Sequence, residues 1–375
     1  MKRNLSLLAL LLALSLLAGC GAGGNGGGTA GTSESGSVAA AAQTGGESTA
    51  ASEGGTSAGA SQTDGESIEA PSDTLAAQTT TRGGGKNPAV YFTKDISPEG
   101  LMAVYKALGV TPAGNVAIKV STGEPPNSNY LRGELIGAFV RFLDGTIVEC
   151  NTAYGGSRSS DAKHIQVAKD HGFYDMTPKG FDLLDIGGQS LSLPVIGGEV
   201  LSENFVGANF ANYDYFVVLS HFKGHAMGGY GGAIKNISIG LASKQGKNWI
   251  HTGGRSKSIM LGGKQDNFLK SMAEAGKSVV DSLGGSILFI SVMNRLSVDC
   301  DCVGNPAEPD MHDIGILASL DPVALDKACV DLVKAAPDGA ALMARINSKN
   351  GTLTYIHGAK IGLGSMEYKL VNIDG

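Results

Sequence analysis

Apolar positions follow two alternating rhythms from about residue 115 onward, and they are almost absent between residue 21 and residue 86. Asn115 to Ser121 (NVAIKVS), Thr146 to Cys150 (TIVEC), Tyr215 to Leu219, Ser286 to Val292 and Asp313 to Ala318 are short apolar runs that read as strands. Phe181 to Ile186 reads as a further short strand, and Glu367 to Ile373 as a closing one. Between them, Leu131 to Leu143, Asp161 to His171 and Gln265 to Leu283 carry the 3.6-residue period of amphipathic helices. Asp321-Pro322 is an N-cap followed by proline at the first helical position, and it opens a helix to about Ala335. Strands alternating with helices predict an α/β fold: largely parallel sheets flanked by helices, in two lobes. No internal repeat is evident.

The first 86 residues have a different character. Lys2 and Arg3 precede an apolar run from Leu5 to Ala18, which is shorter than the roughly 20 residues needed to cross a bilayer. Met1 to Gly19 therefore reads as a secretory signal, and Leu17-Ala18-Gly19-Cys20 resembles the lipobox of bacterial lipoproteins. That resemblance implies cleavage before Cys20, lipidation of Cys20 and attachment at the extracytoplasmic face of the cell membrane. Residues 20–86 are rich in Gly, Ala, Ser and Thr, a composition that cannot bury enough surface to offset its ordering entropy, so they are expected to form a tether. The folded body is expected over 88–375, long enough for a sizeable core. The formal net charge is −6, which excludes the basic footprint of a nucleic-acid binder. Of five cysteines, Cys150 and Cys329 lie in apolar strand and helix patterns and are expected to be inert buried thiols.

The densest chemistry follows the Tyr215–Leu219 strand. His221, Lys223, His225, Gly228-Gly229, Gly231-Gly232, Lys235 and Asn236 come in quick succession, with His251 further on. Histidine titrates near neutrality and ligates metals, so His221 and His225 are candidates for metal binding, and His225 for acid/base work. The glycines suit a backbone that passes close to an anion, and Lys235 is placed to pair with one or to act as a covalent attachment point. Cys300 and Cys302 are separated by one residue; as thiolates both could ligate a soft metal, with His221, His225 or His251 completing the shell. The alternatives are a disulfide or two unrelated thiols. No cysteine run for an iron–sulfur cluster is present. Glu124 and Asn127, and Tyr154, Ser157 and Arg158, follow predicted strands, where α/β sheets bind ligands.

These residues carry a resemblance. Segments 220–236 (SHFKGHAMGGYGGAIKN), 299–302 (DCDC) and 313–333 are similar to the bacterial domain-of-unknown-function family numbered 362, many of whose members are described as iron–sulfur proteins. The chain lacks the ferredoxin-like cysteine insertion of those members. More distantly, the body resembles the nickel-pincer lactate racemases. That resemblance implies that Lys235 would anchor the pincer, His251 bind nickel and His225 act as acid/base. The chain departs from the racemases in having Gly155-Gly156-Ser157 where they place a second catalytic histidine, and Gly123-Glu124-Pro125-Pro126 in place of their substrate loop. The resulting expectation is a metal-dependent enzyme acting on a small anionic substrate, the metal being zinc, iron or nickel. The alternatives are a metal- or ligand-binding lipoprotein without turnover and a redox protein using Cys300 and Cys302.

Overall fold

The computed structural model describes residues 87–375, which lie in one compact unit, Leu75–Gly375. The expected signal, the lipidated Cys20 and the tether fall outside the described residues. In chain order the first elements are β1 (Ala89–Thr93), α1 (Pro98–Ala107), β2 (Val116–Lys119), α2 (Gly133–Phe142), β3 (Thr146–Glu149), α3 (Asp161–Asp170) and β4 (Phe181–Leu183). The hairpin β5 (Ser190–Pro194) and β6 (Glu203–Gly207) leads to β7 (Tyr215–His221), the ribbon β8 (Lys223–His225) and β9 (Gly229–Gly231), α4 (Ala233–Ser238), α5 (Lys244–His251) and α6 (Gln265–Ser282). The chain closes through β10 (Ile287–Met293), β11 (Gly315–Ser319), α7 (Pro322–Ala335), α8 (Ala340–Ser348), α9 (Leu353–Lys360) and β12 (Lys369–Asn372).

Eight strands form one sheet in the order β12-β1-β11-β10-β7-β2-β3-β4. The run from β10 to β4 is parallel throughout, β11 pairs antiparallel with both its neighbours, and β12 lies parallel to β1. The expected α/β architecture with a mostly parallel sheet is thus present. Every residue of β2, β10 and β11 is buried, as continuous apolar strands covered on both faces must be. Alternation along β7 divides the core. Phe216 and Val218 join Phe289, Ile234 and Val323 on one face, while Val217 and Leu219 join Ile290, Leu101 and Phe139 on the other. A smaller apolar cluster, with Leu201, Ile250, Phe268 and Met272, packs the annex of β6, α5 and α6.

Helix ends follow their local chemistry. The Asp321 carboxylate accepts the Val323 and Ala324 N–H groups at 2.9 Å, and its second oxygen accepts the Ser365 N–H at 2.8 Å. Ser97 caps α1 in the same way, ahead of Pro98. The short elements β8, β9, α4 and α5 have no sequence periodicity to announce them, because three to eight residues span too little of either period.

The sheet order places the site. From β2 the chain proceeds outward through β3 and β4, then returns to the other side of β2 at β7 and β10. Adjacent parallel strands whose connections leave in opposite directions open a crevice at their carboxyl ends. Lys119 ends β2 and His221 ends β7 at that crevice.

Candidate active site

A cavity of about 300 Å³ occupies the crevice between the ends of β2, β3 and β7, α4, α5 and the loop after β10. Its lining includes five cationic side chains, Lys119, Arg158, Lys223, Lys235 and Lys247, against the carboxylates of Glu149 and Asp301. His225 and His251 also line it.

Most of these charges have internal partners. Arg158 donates to Glu124 at 3.1 Å and to Glu149 at 3.2 Å. Burial opposes ionisation of Glu149, but Arg158 and a hydrogen bond from His164 outweigh it and hold the carboxyl well below its usual range. Lys223 donates to Asp301 Oδ2 at 2.7 Å, and His221 Nδ1 lies 2.8 Å from Asp301 Oδ1. Burial would raise the Asp301 carboxyl; His221 and Lys223 overrule it and push it down. Lys119, almost fully buried, donates to the Val120 carbonyl and, at 3.0 Å, to Asn236 Oδ1. Position 240 has room only for glycine, because a Cβ there would lie 2.2 Å from the Asn236 carbonyl oxygen and 2.9 Å from Lys119 Cε. Burial lowers Lys119 to about 8, with Glu149 pulling the other way. Lys247 donates to the Ala242 carbonyl.

Lys235 is different. Its ammonium makes no hydrogen bond or ion pair among the described residues, and burial, then the charge of Lys223, lowers it to about 7. A fraction of this lysine is therefore a free amine at neutral pH.

The two cavity histidines are held in opposite tautomers. His225 Nδ1 accepts the Gly228 N–H at 2.8 Å, so the ring proton sits on Nε2. Burial, then Lys235, lowers its pKa well below the usual histidine value, and the ring is neutral. His251 Nδ1 lies 2.6 Å from the Lys247 carbonyl and must donate to it, which leaves the Nε2 lone pair free. Burial lowers His251 to about 4. The ring is fixed by stacking on Phe268 at 4.6 Å.

At the glycine turn, expected to approach an anion, part of the backbone is engaged within the chain. Gly228 gives its N–H to His225, and Gly229 and Gly231 belong to the β8–β9 ribbon. Neither Gly228 nor Gly229 lines the cavity, although Gly231 and Gly232 do. The N–H groups that open α4, on Ala233 and Ile234, are taken by the Asp326 carboxylate at 2.6 and 3.1 Å. The chain's own carboxylate thus fills the position expected for an anion. Gly232 is needed because a Cβ there would meet Asp326 Oδ1 at 2.4 Å. Burial raises Asp326 to about 7 against those hydrogen bonds.

Of the expected metal set, His221, His225, His251, Cys300 and Cys302, the structure brings His225 and the two cysteines together. Cys300 and Cys302 form a disulfide, which leaves no thiolate. Both ring nitrogens of His221 are engaged, by Asp301 and by the Asn294 carbonyl at 2.7 Å. A ring nitrogen of His225 and the two sulfurs lie within 4.8 Å of one another. His225, however, carries its proton on Nε2 and spends Nδ1 on the backbone. Among the described residues, only His251 offers a free imidazole lone pair to the cavity.

Of the remaining expected residues, Arg158, Lys235 and Asn236 line the cavity, whereas Glu124, Asn127 and Ser157 do not. Glu124 orients Arg158 and accepts the Ser157 N–H. Asn127 donates to the Cys300 and Val303 carbonyls and pins the disulfide loop. Tyr154 lines the cavity and accepts from Arg158 at 3.3 Å. The sequence reading gave no role to Lys119, Glu149, Lys223, Lys247 or Asp301. Lys119 and Glu149 did leave a trace, since each is a charge inside an otherwise apolar strand pattern. Cys150 and Cys329 are buried free thiols as expected, and burial raises Cys150 to about 12.

Residues 116–331 match the family described as Domain of unknown function (DUF362), which covers more than half of the chain. No curated protein matches. Among solved structures, the lactate racemase apoprotein from Thermoanaerobacterium thermosaccharolyticum aligns at 15% identity with a TM-score of 0.34, over 54% of this chain and 50% of that one. A structural-genomics protein from Thermotoga maritima aligns at 14% identity with a TM-score of 0.37, over 62% and 57%. The chain therefore spans about half the length of the structures it matches.

Proposed function

We propose that this chain, which belongs to the DUF362 family, is an enzyme that binds a small anionic substrate in the cavity between Lys119, Lys235 and Lys247 and moves a proton on it. The observation that carries this reading is the excess of cations around one cavity, with Lys235 left unpartnered. Donors remain for a ligand: Lys119 uses two of its three ammonium protons and Lys247 one. His251 Nε2 is placed to take a proton, and the neutral His225 Nε2–H to hydrogen-bond a developing oxyanion. The test is calorimetry of the full chain against a panel of small carboxylates and phosphates. The expected result is saturable binding of at least one anion that weakens in Lys235→Met; no binding across the panel sinks the reading.

The nickel-pincer group implied by the racemase resemblance finds only part of its set. Lys235 and His251 offer an amine and a ring lone pair, but His225 is fixed as a neutral donor with its other nitrogen spent, and the turn after β3 holds no histidine. The residues present do not fit that group as an acid/base pair would use it.

A second reading rests on the Cys300–Cys302 disulfide, which lines the same cavity: thiol–disulfide exchange with a substrate or partner. Unchanged turnover in Cys302→Ser would set this aside. The Leu17–Cys20 lipobox resemblance supports export and lipid anchoring at Cys20, and metabolic labelling with a fatty-acid probe, lost in Cys20→Ala, tests it.

A further inference from the structure

We infer that Lys235 is a covalent nucleophile and that the substrate class is a small carboxylate bearing a ketone or aldehyde, held as an imine on Lys235 Nζ. This deepens the anion-site reading and rests on it.

The cavity cations differ in what each is free to do. Arg158 is tied to two carboxylates and a tyrosine, and Lys223 is neutralised by Asp301, so both shape the field without offering a reactive nitrogen. Lys119 and Lys247 are anchored by carbonyl oxygens, which direct their remaining protons to the cavity. Among the cavity cations, Lys235 alone has no acceptor among the described residues to hold it protonated. It emerges from the first turns of α4, where the charges of Lys223 and Lys119 both act on it, and Gly231 packs against both Lys223 and Lys235. A Cβ on Gly231 would lie 3.5 Å from Lys223 Cε and 3.7 Å from Lys235 Cδ. An amine beside fixed ammonium groups in a small cavity is the arrangement that makes lysine add to carbonyl carbon. Neighbouring cations that keep their charge then select a carbonyl compound that also bears a carboxylate, the 2-oxo acids being the smallest such class.

The step balances without any oxidant or metal. The Lys235 Nζ lone pair attacks the carbonyl carbon, and the π pair moves to oxygen, which His225 Nε2–H stabilises. One Nζ proton passes through His251 Nε2 to that oxygen, giving a carbinolamine. The C–O bond then breaks, the hydroxyl takes the second Nζ proton by the same route and leaves as water, and the C=N bond forms. Both amine protons end on the released water.

The test is reductive trapping. The full chain is incubated with pyruvate or glyoxylate and borohydride, weighed intact by mass spectrometry, and mapped by proteolysis. The expected result is a single adduct on Lys235, equal in mass to the acid less water plus two hydrogens. It should be absent in Lys235→Arg, which keeps the charge, and about tenfold weaker with acetone, which lacks the carboxylate contact. Adducts spread over other lysines, or retained in Lys235→Arg, overturn the assignment. Saturable binding of the acid by calorimetry with no trapped adduct also overturns it, while leaving the anion site standing. Neither binding nor adduct removes both.

Discussion

His225 and Gly228 fix the polarity of the candidate active site: the Gly228 N–H points at His225 Nδ1 from 2.8 Å, so the imidazole shows the cavity a proton. A ring so held, and lowered well below its usual pKa by burial and Lys235, should not titrate near about 6.5 as a free histidine does. Nitrogen-15 correlation spectra of the ring are expected to show the neutral Nε2–H form through neutral pH. Titration of His225 in the ordinary range would show the bond to be incidental.

Lys235→Met removes an unpartnered charge and keeps the stem. Small-anion affinity should fall about tenfold to a hundredfold, the value of a charge-assisted hydrogen bond. Stability should not fall, because the lost ammonium sits against Lys223 with no acceptor. Calorimetry and thermal melts below pH 7 check the two effects separately; a large drop in Tm would mean that Lys235 has a structural partner.

The pH dependence of binding and of stability should run in opposite directions. Folded Lys235 is lowered to about 7 and Lys119 to about 8, each from 10.5. Between those values and 10.5 the unfolded chain holds more protons, so these two groups make stability rise with pH across that window. Anion affinity should fall over pH 7–8 as first Lys235 and then Lys119 lose charge. An affinity that stays flat across those pKa values would place the anion elsewhere.

Asp301→Asn leaves Lys223 and His221 buried without their carboxylate. Breaking such a pair typically costs about 3–5 kcal/mol. Because the folded carboxyl lies below its usual 3.8, the contribution of Asp301 is present above that value and fades as pH falls beneath it. Denaturant melts should show lower stability at neutral pH and a flatter acid limb.

Gly232→Ala should cost about 1–3 kcal/mol, since the new methyl would lie 2.4 Å from Asp326 Oδ1 in a packed interior. Gly155→Ala is the control: nothing lies within 4 Å of its Cβ position, and Tm should hardly move. Equal effects at the two positions would contradict the capping role of Asp326.

The chain's own pattern determined the α/β layering, the main strands and helices, and the region of the site after β7, because periodicity and strand-end placement are local properties. His225, His251, Lys235 and Arg158 were legible there as chemistry-bearing residues. Tertiary structure alone decided what surrounds each of them. Whether His225 is a ligand or a donor depends on the Gly228 N–H, and whether the glycine turn binds an anion depends on Asp326, more than ninety residues away. Lys119, Glu149 and Asp301 reach the cavity only because the strand order brings β2 and β10 beside β7, and β3 beside β2. Charge, tautomer and reactivity are set by through-space neighbours and by burial, and neither is written in the spacing of residues along the chain.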